Sequence, residues 1–136
     1  MNAIQEVFRF FSGKTFYVAT VEGDAPRVRP FGFVMEFQDK LYFATNDQKP
    51  SFKQLTANPK VEISATDPDS KEWLRLSGKA VFDSRPEVKA RAFEVAPFLK
   101  QMYDSDEGPA LKLFYLAEGE AIFQTLGSPT QKRIAL

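Results

Sequence analysis

The stretch that decides the fold is Lys14-Thr15-Phe16-Tyr17-Val18-Ala19-Thr20-Val21-Glu22-Gly23-Asp24-Ala25-Pro26-Arg27-Val28-Arg29-Pro30-Phe31. Residues 14–21 are rich in β-branched and aromatic types, so they predict a strand. Glu22 to Pro26 supplies turn chemistry, and a second strand is expected over about 27–37. Gln38-Asp39-Lys40 is a tight polar connection into a third strand at 41–45 (LYFAT), and 27–37 with 41–45 reads as a hairpin.

Ile4, Val7, Phe8 and Phe11 recur at helical spacing upstream, so 3–12 predicts an amphipathic helix ended by Ser12-Gly13. Downstream, 51–57 predicts a short helix closed by Asn58-Pro59, and 60–66 alternates as a strand with one wet face. A longer strand is expected at 72–83, with a bulge or bend at Gly78. A helix follows, with Ser84 as N-cap, Pro86 in its first turn and Glu87 at the capping-box position. Pro97 ends or interrupts that helix, and Leu99, Met102 and Tyr103 suggest one more turn. The last strands are expected near 111–117 and 120–126, separated by Glu118-Gly119. Hairpins dominate and no βαβ alternation occurs, so the fold class is mainly β, an antiparallel barrel with peripheral helices.

The 136 residues fit one domain spanning 1–136, and no Gly/Ser linker divides them. Eighteen basic and 18 acidic residues cancel, which argues against nucleic-acid binding through a general positive field. With no Cys and no His, thiolate nucleophiles, Ser-His-Asp triads and thiolate or imidazole metal sites are excluded. No closely spaced Asp loop suggests a carboxylate metal site, so no metal is expected. Reactivity would therefore come from a bound organic cofactor. The first residues lack a secretory pattern and no run approaches the roughly 18–20 apolar residues of a membrane span. A soluble cytoplasmic protein is the expectation.

Four segments at strand edges could carry chemistry. Arg27 and Arg29 alternate with Val28 ahead of Pro30, which puts both guanidiniums on one strand face, suited to a phosphate or a polar ring edge. From pattern alone they read rather as two solvated arginines on an edge strand, with Pro30 blocking edge pairing. Ala44-Thr45-Asn46 ends the third strand, and Lys49-Pro50-Ser51-Phe52-Lys53 enters a helix whose N-terminus favours an anion. Ser51 as a simple cap with solvated lysines is the alternative. Trp73, the only Trp, stands at a strand start, where it would border a flat ligand or anchor a core or interface. The acidic stretch Tyr103-Asp104-Ser105-Asp106-Glu107-Gly108 has the charge to bind a cation but reads as a solvated loop.

Together these segments resemble the pyridoxamine 5′-phosphate oxidase-like family of FMN-binding split β-barrels. The matching pattern is G-x-x-P-R-V-R-P-F (Gly23 to Phe31), L-Y-F-A-T (Leu41 to Thr45), S-x-K with N-P-K-V (Ser51, Lys53, Asn58 to Val61) and W-L-R-L-S-G-K-A (Trp73 to Ala80). The resemblance runs from roughly residue 4 to residue 126. It implies that Arg27, Val28, Arg29 and Pro30 lie along the isoalloxazine and ribityl chain of FMN. It implies that Ala44, Thr45 and Asn46 meet the flavin or its chain, and that Ser51 and Lys53, helped by Lys49, bind its phosphate. Trp73 stands where many members place a polar residue contributed by the second subunit. The resemblance also implies a homodimer with two FMN sites in the seam between subunits.

True pyridoxamine phosphate oxidases carry a C-terminal Arg-x-His motif, whereas this chain ends Gln131-Lys132-Arg133-Ile134-Ala135-Leu136 and has no His. Vitamin B6 oxidation is therefore not expected. The chain is more similar to the short branch that includes general-stress and nitroimidazole-resistance-like flavoproteins. That implies an FMN-dependent oxidoreductase passing electrons between a reductant such as reduced nicotinamide and a small flat substrate. A flavin store or redox sensor, a deazaflavin-dependent reductase and a ligand-free structural dimer are the other readings. No side chain is singled out as catalytic.

Overall fold

The computed structural model describes residues 1–136. In chain order the elements are α1 (Ala3–Phe11), β1 (Phe16–Glu22), β2 (Ala25–Phe31), β3 (Val34–Phe37), β4 (Lys40–Asn46), α2 (Pro50–Ala57), β5 (Lys60–Thr66), β6 (Glu72–Phe82), α3 (Pro86–Val95), α4 (Pro97–Tyr103), β7 (Leu111–Thr125) and β8 (Gln131–Ala135). One sheet runs β2-β1-β5-β6-β7-β4-β3, with β8 added to β7, and every pairing is antiparallel. Its two edges, β2 and β3, are consecutive in the chain but unpaired with each other. This is the split β-barrel expected from the sequence.

The segment 27–37 is two strands, not one. The backbone leaves the first sheet edge at Gly32-Phe33, so β2 pairs only with β1 while β3 forms the hairpin with β4. That hairpin turns on Gln38 and Asp39, both left-handed at φ 51° and 61°, the geometry a two-residue turn needs to match strand twist.

The last two predicted strands are instead one 15-residue strand, β7. Glu118, at φ 54°, bends it without ending it. Its first half pairs with β4 and its second half with β8, a terminal strand that the polar 127–136 sequence did not suggest. The expected bulge occurs, with the β6–β7 register shifting between Ser77 and Lys79. A Cβ at Gly78 would come within 2.9 Å of the Ala117 carbonyl oxygen, so only glycine fits there without a shift.

Ser84 does not cap α3. Arg85 is the N-cap, without a side-chain hydrogen bond, because Asp83 engages the Arg85 backbone and side chain just ahead of Pro86. Pro97 opens α4 directly after α3, as its missing N–H allows at a first helical position.

The phenylalanine surplus fills the barrel. Phe11, Phe16, Phe43 and Phe114 are fully buried, with successive ring centroids 5.1, 5.7 and 5.7 Å apart. Such pairs contribute about 0.5–1.5 kcal/mol each beyond their buried area. A second cluster lies between β4 and the α3–α4 pair, built on Met35, Tyr42, Val88, Ala92, Leu99 and Tyr103. Thus β4 has two dry faces, with Leu41 and Phe43 toward the barrel and Tyr42 toward the helices.

Candidate functional site

The β1–β2 register sets the site. Thr20 opposes Arg27, Val18 opposes Arg29 and Phe16 opposes Phe31, so both arginines share the face of the buried Phe16, Val18 and Thr20. Val28 and Pro30 oppose Ala19 and Tyr17 on the other face, where Val28 is 65% and Tyr17 52% exposed.

On the inner face the polar groups form one network. Arg29 donates through Nη1 to Thr20 Oγ1 at 2.7 Å and to the Val18 carbonyl at 3.3 Å, and through Nη2 to Gln54 Oε1 at 2.5 Å. Thr20 also donates to Gln54, whose amide in turn donates to Glu22 at 3.4 Å. Arg27 pairs with Glu22 at 3.0 Å. Burial and the neighbouring Arg27 charge lower the Arg29 pKa, with Glu22 opposing them. The guanidinium keeps its proton, so with Glu22 offsetting one of the two cations a net positive charge remains that an anion would relieve.

The β4–α2 junction forms the opposite wall. Asn46 accepts from the Gln48 N–H at 3.0 Å, the side-chain turn that asparagine favours, and donates to Tyr103 Oη at 2.8 Å. This brings the chain round to Lys49, the N-cap of α2, and Pro50 at its start. No side chain caps α2. Ser51 lies inside the helix, buried, with its Oγ 2.7 Å from Thr45 Oγ1. A hydroxyl pair of this kind has capacity left for another partner.

Two adjoining clefts result. The first, about 500 Å³, is lined by Glu22, Arg27, Arg29, Lys49, Ser51 and Gln54, with Val28 and Pro30 at its rim. The second, about 310 Å³, is walled by Phe31, Phe33, Phe98, Leu99 and Met102, with Ala44, Thr45 and Tyr103. Pro30, Phe31 and Lys49 line both, so a cationic end continues into an apolar slot.

Arg27, Val28, Arg29, Pro30, Ala44, Thr45, Lys49 and Ser51 are thus brought together. Asn46 lines neither cleft but shapes the junction. Lys53 is exposed on α2, one helical turn beyond Lys49. Trp73 lies at the start of β6 opposite Thr66 and Gln124, with the Arg75 guanidinium 5.4 Å from its ring centre, and lines neither cleft. Sequence reasoning missed Thr20, Glu22 and Gln54. A threonine at the inward position after Phe16 and Val18 is the one local signal, since an apolar residue is expected there.

The family model described as pyridoxamine 5′-phosphate oxidase matches residues 3–123. A NimC/NimA family protein from Clostridium acetobutylicum is 40% identical, with a TM-score of 0.88 over 98% of this chain and 92% of that one. A pyridoxamine 5′-phosphate oxidase-related, FMN-binding protein from Nostoc punctiforme is 16% identical, with a TM-score of 0.70 over 98% and 90% of the two chains. General Stress Protein 26 from Bacillus anthracis is 18% identical, with a TM-score of 0.72 over 96% and 95%. No match to the chain is found among curated proteins. The chain belongs to the pyridoxamine 5′-phosphate oxidase-like family of split barrels.

Proposed function

We propose that this chain, as one domain over residues 1–136, binds FMN and serves as an oxidoreductase in the cytoplasm. Electrons would pass between a reductant such as reduced nicotinamide and a small flat substrate. The observation that carries this reading is the continuity of the two clefts. Arg27, Arg29, Lys49 and the uncapped start of α2 gather positive charge at one end, and Phe31, Phe33, Phe98 and Met102 form an apolar slot at the other. A molecule with a phosphate at one end and a flat ring at the other suits that order of surfaces. The Nostoc relative, described as FMN-binding, has the same fold.

In this reading Lys49 and Ser51 bind the phosphate, and Lys53 adds charge from the exposed side of α2. Arg27, Val28, Arg29 and Pro30 run beside the ribityl chain along β2, with Pro30 reaching the isoalloxazine in the slot. Ala44 and Thr45 close the slot from β4, and Asn46 holds the junction. FMN, when bound, supplies the redox chemistry. The chain's own residues bind it, orient it and exclude water from the slot, and the arginines favour negative charge beside them. No side-chain acid or base is assigned.

The proposal includes a homodimer. Tyr17, Val28 and Pro30 form an exposed apolar face on the outer side of β1–β2 that adjoins the cationic cleft, since Val28 and Pro30 also line it. A second copy covering that face would place the cofactor near the seam and bring Trp73 of one chain toward the site of the other.

The test is to release and weigh the ligand that co-purifies, then add reduced nicotinamide anaerobically. FMN that bleaches and recovers with an electron acceptor is expected. A deazaflavin, or FMN that no nicotinamide bleaches, would contradict the cofactor or the reductant respectively.

A further inference from the structure

A third cleft lies on the other side of α2 and shares no residue with the cationic one. It measures about 460 Å³ and runs between α2, the end of β6, the start of α3 and the first residues of β7. Its floor is the edge-to-face pair Phe52 and Phe82, with centroids 4.9 Å apart. Thr56 and Ser84 stand at its rim.

Its charge is one-sided. Asp83 is the only acid lining it. That carboxylate is engaged by Arg85, at 3.0 Å, and by the Tyr42 hydroxyl, at 2.7 Å. Lys89 and Lys112 have no acidic partner. Lys112 Nζ instead lies 5.6 Å from the Phe52 ring centre and Lys89 Nζ 5.6 Å from that of Phe93. With Asp83 and Arg85 cancelling, the walls carry two uncompensated positive charges in a chain whose total charge is zero.

We infer that this cleft is a second ligand site, for a small anion carrying an aromatic ring, such as an aryl phosphate or aryl carboxylate. The ring would pack on Phe52 and Phe82 and the anion would meet Lys89 and Lys112. A neutral aromatic would forgo the charge, and a bare anion would forgo the floor. The site touches α2 from the face opposite Ser51 and Gln54, and Leu111 is common to this cleft and the apolar slot. Occupancy would therefore act on the wall of the proposed flavin cleft through α2 and Leu111.

The test is a titration of the protein as purified with phenyl phosphate, followed by backbone amide NMR shifts. Saturable shifts at Phe52, Ser84 and Lys112 are expected, with benzyl alcohol and inorganic phosphate binding far more weakly. Lys89→Gln with Lys112→Gln is expected to weaken phenyl phosphate about tenfold or more, as loss of charge-assisted contacts implies, with the melting temperature as a check on folding. Shifts at residues 27–29, Lys49 and Ser51 with none at Ser84 or Lys112 would place the anion in the flavin cleft and overturn the inference. Undiminished binding by the folded double variant, or equal affinity for benzyl alcohol, would overturn it too.

Discussion

Arg29 and Gln54 are joined by a charge-assisted hydrogen bond of 2.5 Å that ties the edge strand β2 to helix α2. The two residues are 25 apart in sequence and lie on opposite walls of the cationic cleft. With Thr20 completing the triangle, the bond sets the width of the cleft before any ligand enters, so less ordering remains to be done on binding.

Arg29→Met keeps the length of the side chain and removes its donors. Thr20 and Gln54 keep each other, but Gln54 loses its charged partner. Urea unfolding is expected to show a loss of about 1.5–3 kcal/mol, the usual worth of a hydrogen bond to a charged group. Unchanged stability would mean that the network does not hold β2 to α2.

Tyr17 tests the proposed dimer. It is 52% exposed and opposes Pro30 on the outer face of β1–β2. Tyr17→Glu places a charge in the seam, and sedimentation velocity is expected to show a dimer become a monomer. A wild-type protein that sediments as a monomer, or a variant that stays dimeric, would contradict the proposed face.

Acid stability depends on Asp83. Arg85 and the Tyr42 hydroxyl hold its carboxyl down at about 2, below the ordinary carboxylate value. A carboxyl depressed on folding contributes stability above its unfolded pKa of about 4, lost as pH falls toward the folded value. Asp83→Asn is therefore expected to lower stability at neutral pH and to flatten its decline between about pH 4 and pH 2, read by thermal melts. Tyr42 mirrors this at the alkaline end. Burial first, and then Asp83, pushes its hydroxyl up to about 12, so that contribution persists below pH 10 and fades as pH rises through 12.

Much of the barrel was legible because its strands alternate and its turns carry turn residues. β5 runs over Lys60–Thr66 as expected, and Gly78 marks the bulge where a Cβ has no room. The break at Gly32-Phe33 was hidden because phenylalanines flank the glycine and Pro30, the one nearby punctuating residue, itself lies within an edge strand. β7 was divided by a turn-like Glu118-Gly119 that bends a strand already paired along both halves. The tail carries no strand signal because Gln131, Lys132 and Arg133 are polar in succession, and they are solvated, on an outer strand held by backbone pairing.

The site shows the same division. Arg27 and Arg29 follow from strand periodicity, and the Lys49–Ser51 entry to α2 from its proline. Gln54 does not, since its partners Thr20 and Arg29 reach it only through the β1–β2 register and the packing of α2. Ser51 is a cap candidate by its type, yet Lys49 occupies the cap position and the Ser51 hydroxyl turns inward to Thr45.

The central claim, that the cationic cleft holds the phosphate of a flavin, is tested most directly by titrating flavin-free protein with FMN and with riboflavin, which lacks the phosphate. FMN is expected to bind about tenfold more tightly or better, given about 1.5–3 kcal/mol for each hydrogen bond to a charged group. Lys49→Ala is expected to reduce that preference, weakening FMN by more than riboflavin. Equal affinity for the two flavins, or a preference for FMN that survives Lys49→Ala intact, would contradict the assignment.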